Sequence, residues 1–414
     1  MNLALINIKQ LVTVPSNGER AKRGAAMRDL GVIENAAVFI QDDLIEWVGR
    51  MEEMPMSILK ETDVVDCIHS VVMPGFVDAH THLVFAGSRE NEFAMRSEGL
   101  TYEQIAEQGG GIVNTVESVR NTSKKDLKKQ ARHYLARLMR HGTTTVEIKS
   151  GYGLSMNDEI KLLEAIKELQ SEEVIGIVST FLGAHAFPPE YKGHEDGYIA
   201  EICNRMLPYI AERKLAEFCD VFCDKGYFSA PTAERILRQA KDLGLTPKIH
   251  AEELASSGGT KVAVALEAAS ADHLENISAE DIRAIAQSDV VGVLLPGVSF
   301  FLNHGYAPAR ALIDAGAAVA IASDFNPGSC MSYSMPTMMT IACTQMRMTP
   351  EEAITASTLN AAAAINRSHE VGSIEVNKKA DIVILNIPNY RFLPYHFGEN
   401  HVDKVIKNGV VLEF

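Results

Sequence analysis

Eight short apolar runs, each followed by a polar or glycine-rich turn and then a helical stretch, set the narrowest limit on how this chain can fold. The runs are Val71–Leu83, Thr143–Lys149, Val174–Gly183, Phe218–Cys223, Pro247–His250, Ala269–His273, Val290–Leu295 and Ala317–Ser323. Amphipathic stretches lie between them. In Ser123–His141, the residues Leu127, Ala131, Tyr134 and Leu138 recur at helical spacing. Ser123 with Asp126 makes a capping arrangement, and Gly142 supplies the stop. Glu159–Leu169, Ala233–Leu243 and Thr260–Ala268 read the same way, and the alanine-rich Glu351–Ile365 is expected to close the outer helical layer.

This alternation predicts an α/β protein built on a (β/α)8, TIM-like barrel. A doubly wound open sheet is the competing arrangement, but it gives no reason for polar residues to follow nearly every strand. In a barrel those residues gather at one rim, where active sites are built. They include His80, His82, Lys149, His185, Asp224, His250, His273 and Asp324. The two ends of the chain differ, with short alternating runs at Ala4–Ile8, Ala37–Ile40 and Leu44–Gly49, and again at Ile382–Leu385, Val405–Lys407 and Val410–Leu412. Each end is too small to fold alone. Residues 1–70 and 370–414 are therefore expected to pair into one composite β-sandwich domain beside a catalytic barrel of 71–369.

Composition narrows the partners. Of 414 residues, 46% are hydrophobic and 22% charged, which suits a soluble globular chain with a large core. A formal net charge of −15 argues against a nucleic-acid or anionic-membrane surface, while leaving room for an anionic small substrate held by local arginines. No apolar run approaches the ~18 residues that span a bilayer. The start, Met1–Lys9, lacks the pattern of a signal peptide, so a cytoplasmic location is expected. The six cysteines are scattered like reduced intracellular thiols; Cys219 and Cys223 are four apart, with no second pair nearby to complete a zinc site.

The chemistry starts at His80 and His82, in the run Pro74-Gly75-Phe76-Val77-Asp78-Ala79-His80-Thr81-His82. Residues two apart at the end of a strand project to one face, so both imidazoles can meet one point. A metal ion is the natural occupant. His250 ends Lys248-Ile249-His250, and Asp324 ends Ala320-Ile321-Ala322-Ser323-Asp324, both on the same expected rim. Each has a bland alternative, a structural histidine and a turn or capping aspartate. Their joint occurrence at strand ends favours three imidazoles and one carboxylate around a catalytic zinc or iron with a position left for water.

This order of ligands resembles the amidohydrolase superfamily. The likeness is nearer still to the branch that opens the ring of 4-imidazolone-5-propanoate in histidine degradation. It is carried by Pro74–His82, Gly87-Ser88-Arg89-Glu90, Gly109-Gly110-Gly111-Ile112, Glu147–Leu154, Phe181–Pro188, Lys248–Glu253, Ser270–Leu274 and Ser323–Ser329. The resemblance implies hydrolysis of a cyclic amide C–N bond with one divalent metal per chain, Zn2+ or iron (Fe2+/Fe3+), held by His80, His82, His250 and Asp324. It implies proton transfer by Asp324, orientation or oxyanion stabilisation by His273, and contact with the ring nitrogen by Glu253. For Glu253 a helix first-turn carboxylate is the plain alternative, and for His273 a satisfied core histidine.

Arg89 offers a planar fork for the substrate's propanoate, where the plain reading is a surface salt bridge. Tyr152 and His185 match positions that hold the ring and its side chain. Asn326, Gly328 and Ser329 are expected to present donors to the same carboxylate, and Gly109–Gly111 to be a mobile flap or a plain loop. No lysine falls on the fourth run to bridge two metals, which favours one ion. A homodimer with a small-molecule substrate is implied. The rivals are an aminohydrolase of purines, pyrimidines or triazines, whose substrates give Arg89 no partner, and a non-catalytic scaffold, which would have lost its ligands.

Overall fold

A computed structural model describes residues 2–59, 62–100, 104 and 110–413. Among the described residues sixteen strands fall into two sheets. The mixed sheet contains β1 (Asn2–Val12), β2 (Val32–Gln41), β3 (Leu44–Arg50), β4 (Asp63–Asp66), β5 (Val71–Pro74), β14 (Ile382–Leu385), β15 (Val402–Lys407) and β16 (Val410–Leu412). Its order is β16-β15-β14-β5-β1-β2-β3, with β4 on the free stretch of β1. The chain's two ends meet at β5 and β14, antiparallel, with Val383 opposite Met73. Side-chain alternation makes this sheet two-faced. Val71, Met73, Val383 and Leu385 join the main core, while Val72, Ile382 and Ile384 form a second core with Leu5, Ile8 and Ile40.

The parallel sheet contains β6 (Phe76–Asp78), β7 (Thr143–Lys149), β8 (Gly176–Ala184), β9 (Phe218–Cys223), β10 (Thr246–Ala251), β11 (Ser270–His273), β12 (Val291–Leu294) and β13 (Val319–Ile321), paired in sequence order. Closure between last and first comes just beyond the strand ends. Asp324 N–H donates to His80 O and His82 N–H to Phe325 O, both at 3.0 Å, and Thr81 bridges Phe325. The barrel is therefore sealed by the backbone of three of the four expected metal ligands. Its outer helices start where expected: Ser123 and Ser155 cap Lys124–Arg140 and Met156–Glu172 by accepting from the N–H groups of Asp126 and Asp158.

Two expected elements are divided. The run Val71–Leu83 contributes Val71–Pro74 to the mixed sheet and only Phe76–Asp78 to the barrel. Gly75 makes the break: a Cβ there would lie 2.3 Å from the Thr144 side chain, and its N–H donates to Asp381 O across the sheet boundary. The stretch Glu351–Ile365 forms two helices, Pro350–Ala356 and Leu359–Ala364, parted at Thr358 (φ −128°, ψ −97°). Ser357 O accepts from Val77 N–H on β6, and the Asn360 side chain donates to Val319 O on β13, so the kink seats both pieces on the barrel. Among the described residues no helix is long and apolar enough to cross a membrane.

Candidate active site

Thr81 organises the first two ligands. Its carbonyl accepts from Lys149 N–H (2.9 Å), its hydroxyl donates to Glu147 O (2.6 Å), and its other side bridges Phe325. Pinned on both flanks, it leaves His80 and His82 projecting together, with ring centroids 5.4 Å apart. His250 on β10 brings its ring to 4.5 Å from that of His80. One nitrogen from each of the three lies within 4.8 Å of the others. Asp324 Oδ1 is 3.4 Å from the Nε2 atoms of both His80 and His82.

This arrangement fits a cation. His80 Nε2, His250 Nε2 and Asp324 Oδ1 are buried and have no hydrogen-bond partner, although buried polar atoms are nearly always satisfied. The outward sides of the rings are engaged instead. His80 Nδ1 lies 2.7 Å from Asp272 Oδ2, which makes it the protonated nitrogen and leaves the Nε2 lone pair facing the centre. His250 Nδ1 sits 2.9 Å from Asp220 Oδ2, at an angle short of a regular hydrogen bond. Burial pushes His82 and His250 below the ordinary imidazole range, favouring the neutral form a ligand needs. Burial would raise Asp324, but its contacts with His80 and His82 outweigh that and hold it well below the usual carboxylate range.

The other oxygen of Asp324 is fixed from behind. Oδ2 accepts from Asn326 Nδ2 (2.9 Å) and Ser329 Oγ (3.0 Å). Asn326 Oδ1 in turn accepts the N–H groups of Gly328 (2.7 Å) and Ser329 (2.9 Å). Asn326, Gly328 and Ser329, expected to aim donors at a substrate, thus spend them on orienting Asp324 and closing their own turn. The chain holds Asp324 (φ +50°), His273 (φ +79°) and Leu274 (φ +71°) in the left-handed region that such residues seldom adopt.

Around this centre stand the remaining candidates. His185 stacks on His82 at 4.9 Å, and Tyr152 lies 5.6 Å from His82 and 5.4 Å from His185. Burial lowers His185 to about 3, so its ring is neutral, with Nδ1–H donating to Gly151 O at 3.0 Å and Nε2 left as acceptor. His273 Nε2 faces Glu253 Oε2 at 3.5 Å, and Nδ1 faces Glu275 at 3.7 Å. Burial opposes charge on His273, but Glu253 and Glu275 raise it to about 10; burial raises Glu253 itself to about 7.

Arg89 precedes the helix Glu90–Ser97 and donates through Nε (2.9 Å) and Nη2 (2.6 Å) to Glu92 Oε2. Its Nη1 lies so close over Gly328 that a Cβ there would meet it at 2.1 Å. Glu92 Oε1 accepts from Gly111 N–H at 3.0 Å. Of the glycine triplet, Gly109 lies outside the described residues.

Two rim candidates are engaged by other groups of the protein. Lys149 is wholly buried among carboxylates, and Asp224 accepts the N–H groups of Leu254 and Ala255 to shape the loop beyond His250. Sequence reasoning did not single out Asp220, Asp272 or Glu92. A lone carboxylate inside the wholly buried Phe218–Cys223 was the available signal for Asp220.

The amidohydrolase family matches residues 71–412. The chain belongs to the amidohydrolase family. Imidazolonepropionase from Geobacillus sp. (strain WCH70) is 48% identical over 413 residues, covering 99% of this chain and 97% of the relative. That from Alkaliphilus oremlandii (strain OhILAs) is 47% identical over 408 residues, covering 98% and 96%. Relatives of this identity over the full length place the chain on the imidazolonepropionase branch of the family. The zinc-complexed atrazine chlorohydrolase from Arthrobacter aurescens TC1 superposes with a TM-score of 0.76 at 16% identity, covering 99% of this chain and 95% of that one, a likeness of fold. A divalent-metal hydrolase follows from family and geometry together.

Proposed function

We propose that this chain hydrolyses 4-imidazolone-5-propanoate to N-formimidoyl-L-glutamate. The observation that carries the reading is the convergence of His80, His82, His250 and Asp324 on one buried point, in a chain whose full-length relatives are imidazolonepropionases. We infer that these four side chains hold one ion per chain, zinc or iron, because their N3O set suits either. When bound there, the ion supplies Lewis acidity and lowers the pKa of a water it holds.

The protein's own groups do the rest. Asp324, ionised and locked by Asn326 and Ser329, takes a proton from the attacking water and returns it toward the leaving nitrogen. A C–O bond forms at the ring carbonyl, whose π electrons move onto its oxygen, and the amide C–N bond breaks as that oxyanion collapses and the nitrogen takes the proton. Protonated His273, held between Glu253 and Glu275, donates to the developing oxyanion. Glu253, raised by burial to about 7, relays a proton at the ring nitrogen. Tyr152 and neutral His185 grip the ring, with His185 Nε2 as acceptor. Arg89 takes the propanoate as a paired donor, sharing its guanidinium with Glu92.

We further infer a cytoplasmic homodimer without a nucleic-acid partner, in keeping with the family resemblance and the net charge of −15. Residues 1–70 and 370–414 then serve as a supporting domain, to which Val71–Pro74 adds a strand, and 71–369 carries the chemistry. Incubation with 4-imidazolone-5-propanoate tests the assignment: formimidoylglutamate should appear by mass and stop appearing with a chelator. Absence of turnover by metal-replete protein would overturn the substrate.

A further inference from the structure

Below the histidines, Glu147, Lys149, Asp220, Lys248 and Asp272 are wholly buried. Charges survive such burial only when paired. Lys149 Nζ lies 2.8 Å from Asp220 Oδ2, 3.0 Å from Glu147 Oε1 and 3.5 Å from Asp272 Oδ2. The same Asp220 oxygen faces His250 Nδ1 at 2.9 Å, and the same Asp272 oxygen faces His80 Nδ1 at 2.7 Å. Two of the three imidazoles thus face carboxylate oxygens that share a single ammonium, His80 through a hydrogen bond and His250 through a 2.9 Å ionic contact. Lys248 shares Asp272 Oδ2 at 3.8 Å, lies 3.5 Å from Glu147 and donates to Ala79 O (3.2 Å), while Lys149 is the ammonium that faces both Asp220 and Asp272. Three carboxylates against two ammoniums leave one negative charge, and Asp324 brings a second, which one divalent cation balances.

We propose that Lys149 is a positioning residue of the metal site, holding Asp220 and Asp272 so that both present the Nε2 lone pairs of His250 and His80 to the ion. The proposal rests on the reading that these histidines bind a metal, and deepens it. Without the ammonium, Asp220 and Asp272 lose their common partner and repel each other. The anchors of two ligands then loosen together. Lys149 touches neither substrate nor ion; it acts through the carboxylates.

Zinc affinity of the chelator-stripped chain, read by competition with a chromophoric chelator, tests this without turnover. Lys149→Met should weaken zinc binding about 10- to 100-fold, as loss of outer ligand support does elsewhere. Added to an Asp220→Asn/Asp272→Asn chain, the same change should cost less than about 3-fold, because the relay is already cut. The Co2+-loaded parent should also show shifted ring N–H proton resonances from His80 and His250, and both should move in Lys149→Met. Unaltered affinity, or an undiminished loss in the double-Asn background, would overturn the proposal. If Lys149→Met fails to unfold cooperatively in urea, Lys149→Gln takes its place; if neither folds, the charge serves the fold and the proposal falls. A parent chain that binds no zinc sinks the metal reading instead.

Discussion

Gly328→Ala separates substrate recognition from stability with one methyl group. The added Cβ would stand 2.1 Å from Arg89 Nη1 and 2.9 Å from its Cζ. Ordinary contact needs ~3.5–4.0 Å, so the guanidinium must withdraw by about 1.4–1.9 Å. Gly328 lies outside the left-handed region, and the two nearest atoms it meets end a flexible side chain, with Asn326 Oδ1 next at 3.3 Å. The fold should tolerate the change, with a melting temperature on the order of 2 °C from the parent. Recognition should not. A hydrogen bond to a charged group contributes about 1.5–3 kcal/mol, and each 1.4 kcal/mol is tenfold, so kcat/KM should fall about 10- to 100-fold. Steady-state kinetics should place that loss mainly in KM, with kcat nearly retained. In an Arg89→Ala background most of the further effect should disappear, since the methyl then meets only Asn326 Oδ1, at 3.3 Å. Parent-like kcat/KM, or an equal loss in both backgrounds, would refute the reasoning that Arg89 binds the propanoate over Gly328.

Other outcomes follow from the same geometry. Asp324→Asn removes the ionised proton acceptor, and kcat should drop about 10²- to 10⁴-fold in a chain that still folds by circular dichroism; parent-like turnover would relieve Asp324 of that role. Burial raises Glu253 from 4.5 to about 7, so the folded chain binds that proton more tightly than the unfolded one. Stability from this group is therefore full below about pH 4.5, falls as pH rises toward 7 and levels off above. Urea midpoints of Glu253→Gln should gain on the parent across that window, and a constant difference would contradict the assignment. Gly75→Ala forces a methyl into Thr144 and should cost about 1–3 kcal/mol in urea unfolding, whereas a neutral result would mean that the junction between sheets yields easily.

The barrel was legible because parallel strands buried on both faces leave apolar runs, and their common direction gathers polar residues at one rim. His80, His82, His250 and Asp324 could be read for that reason, each ending such a run. What escaped depends on partners distant in sequence. Nothing near Gly75 reveals that Thr144 occupies the space of its side chain, so Val71–Leu83 read as one strand when it serves two sheets. Asn326, Gly328 and Ser329 looked like free donors because a turn sequence does not disclose that its bonds close on Asp324. Lys149 looked like a rim residue because a strand-end lysine reads as exposed until Asp220 and Asp272 are brought to it from two other strands.

Titration of zinc or ferrous iron into the chelator-stripped chain, followed by formimidoylglutamate production, tests the central claim most directly. Activity should be absent at the start, rise linearly and saturate at one equivalent per chain, with His250→Ala failing to saturate in the same range. Full activity in the stripped protein, or none at any metal loading, would contradict it.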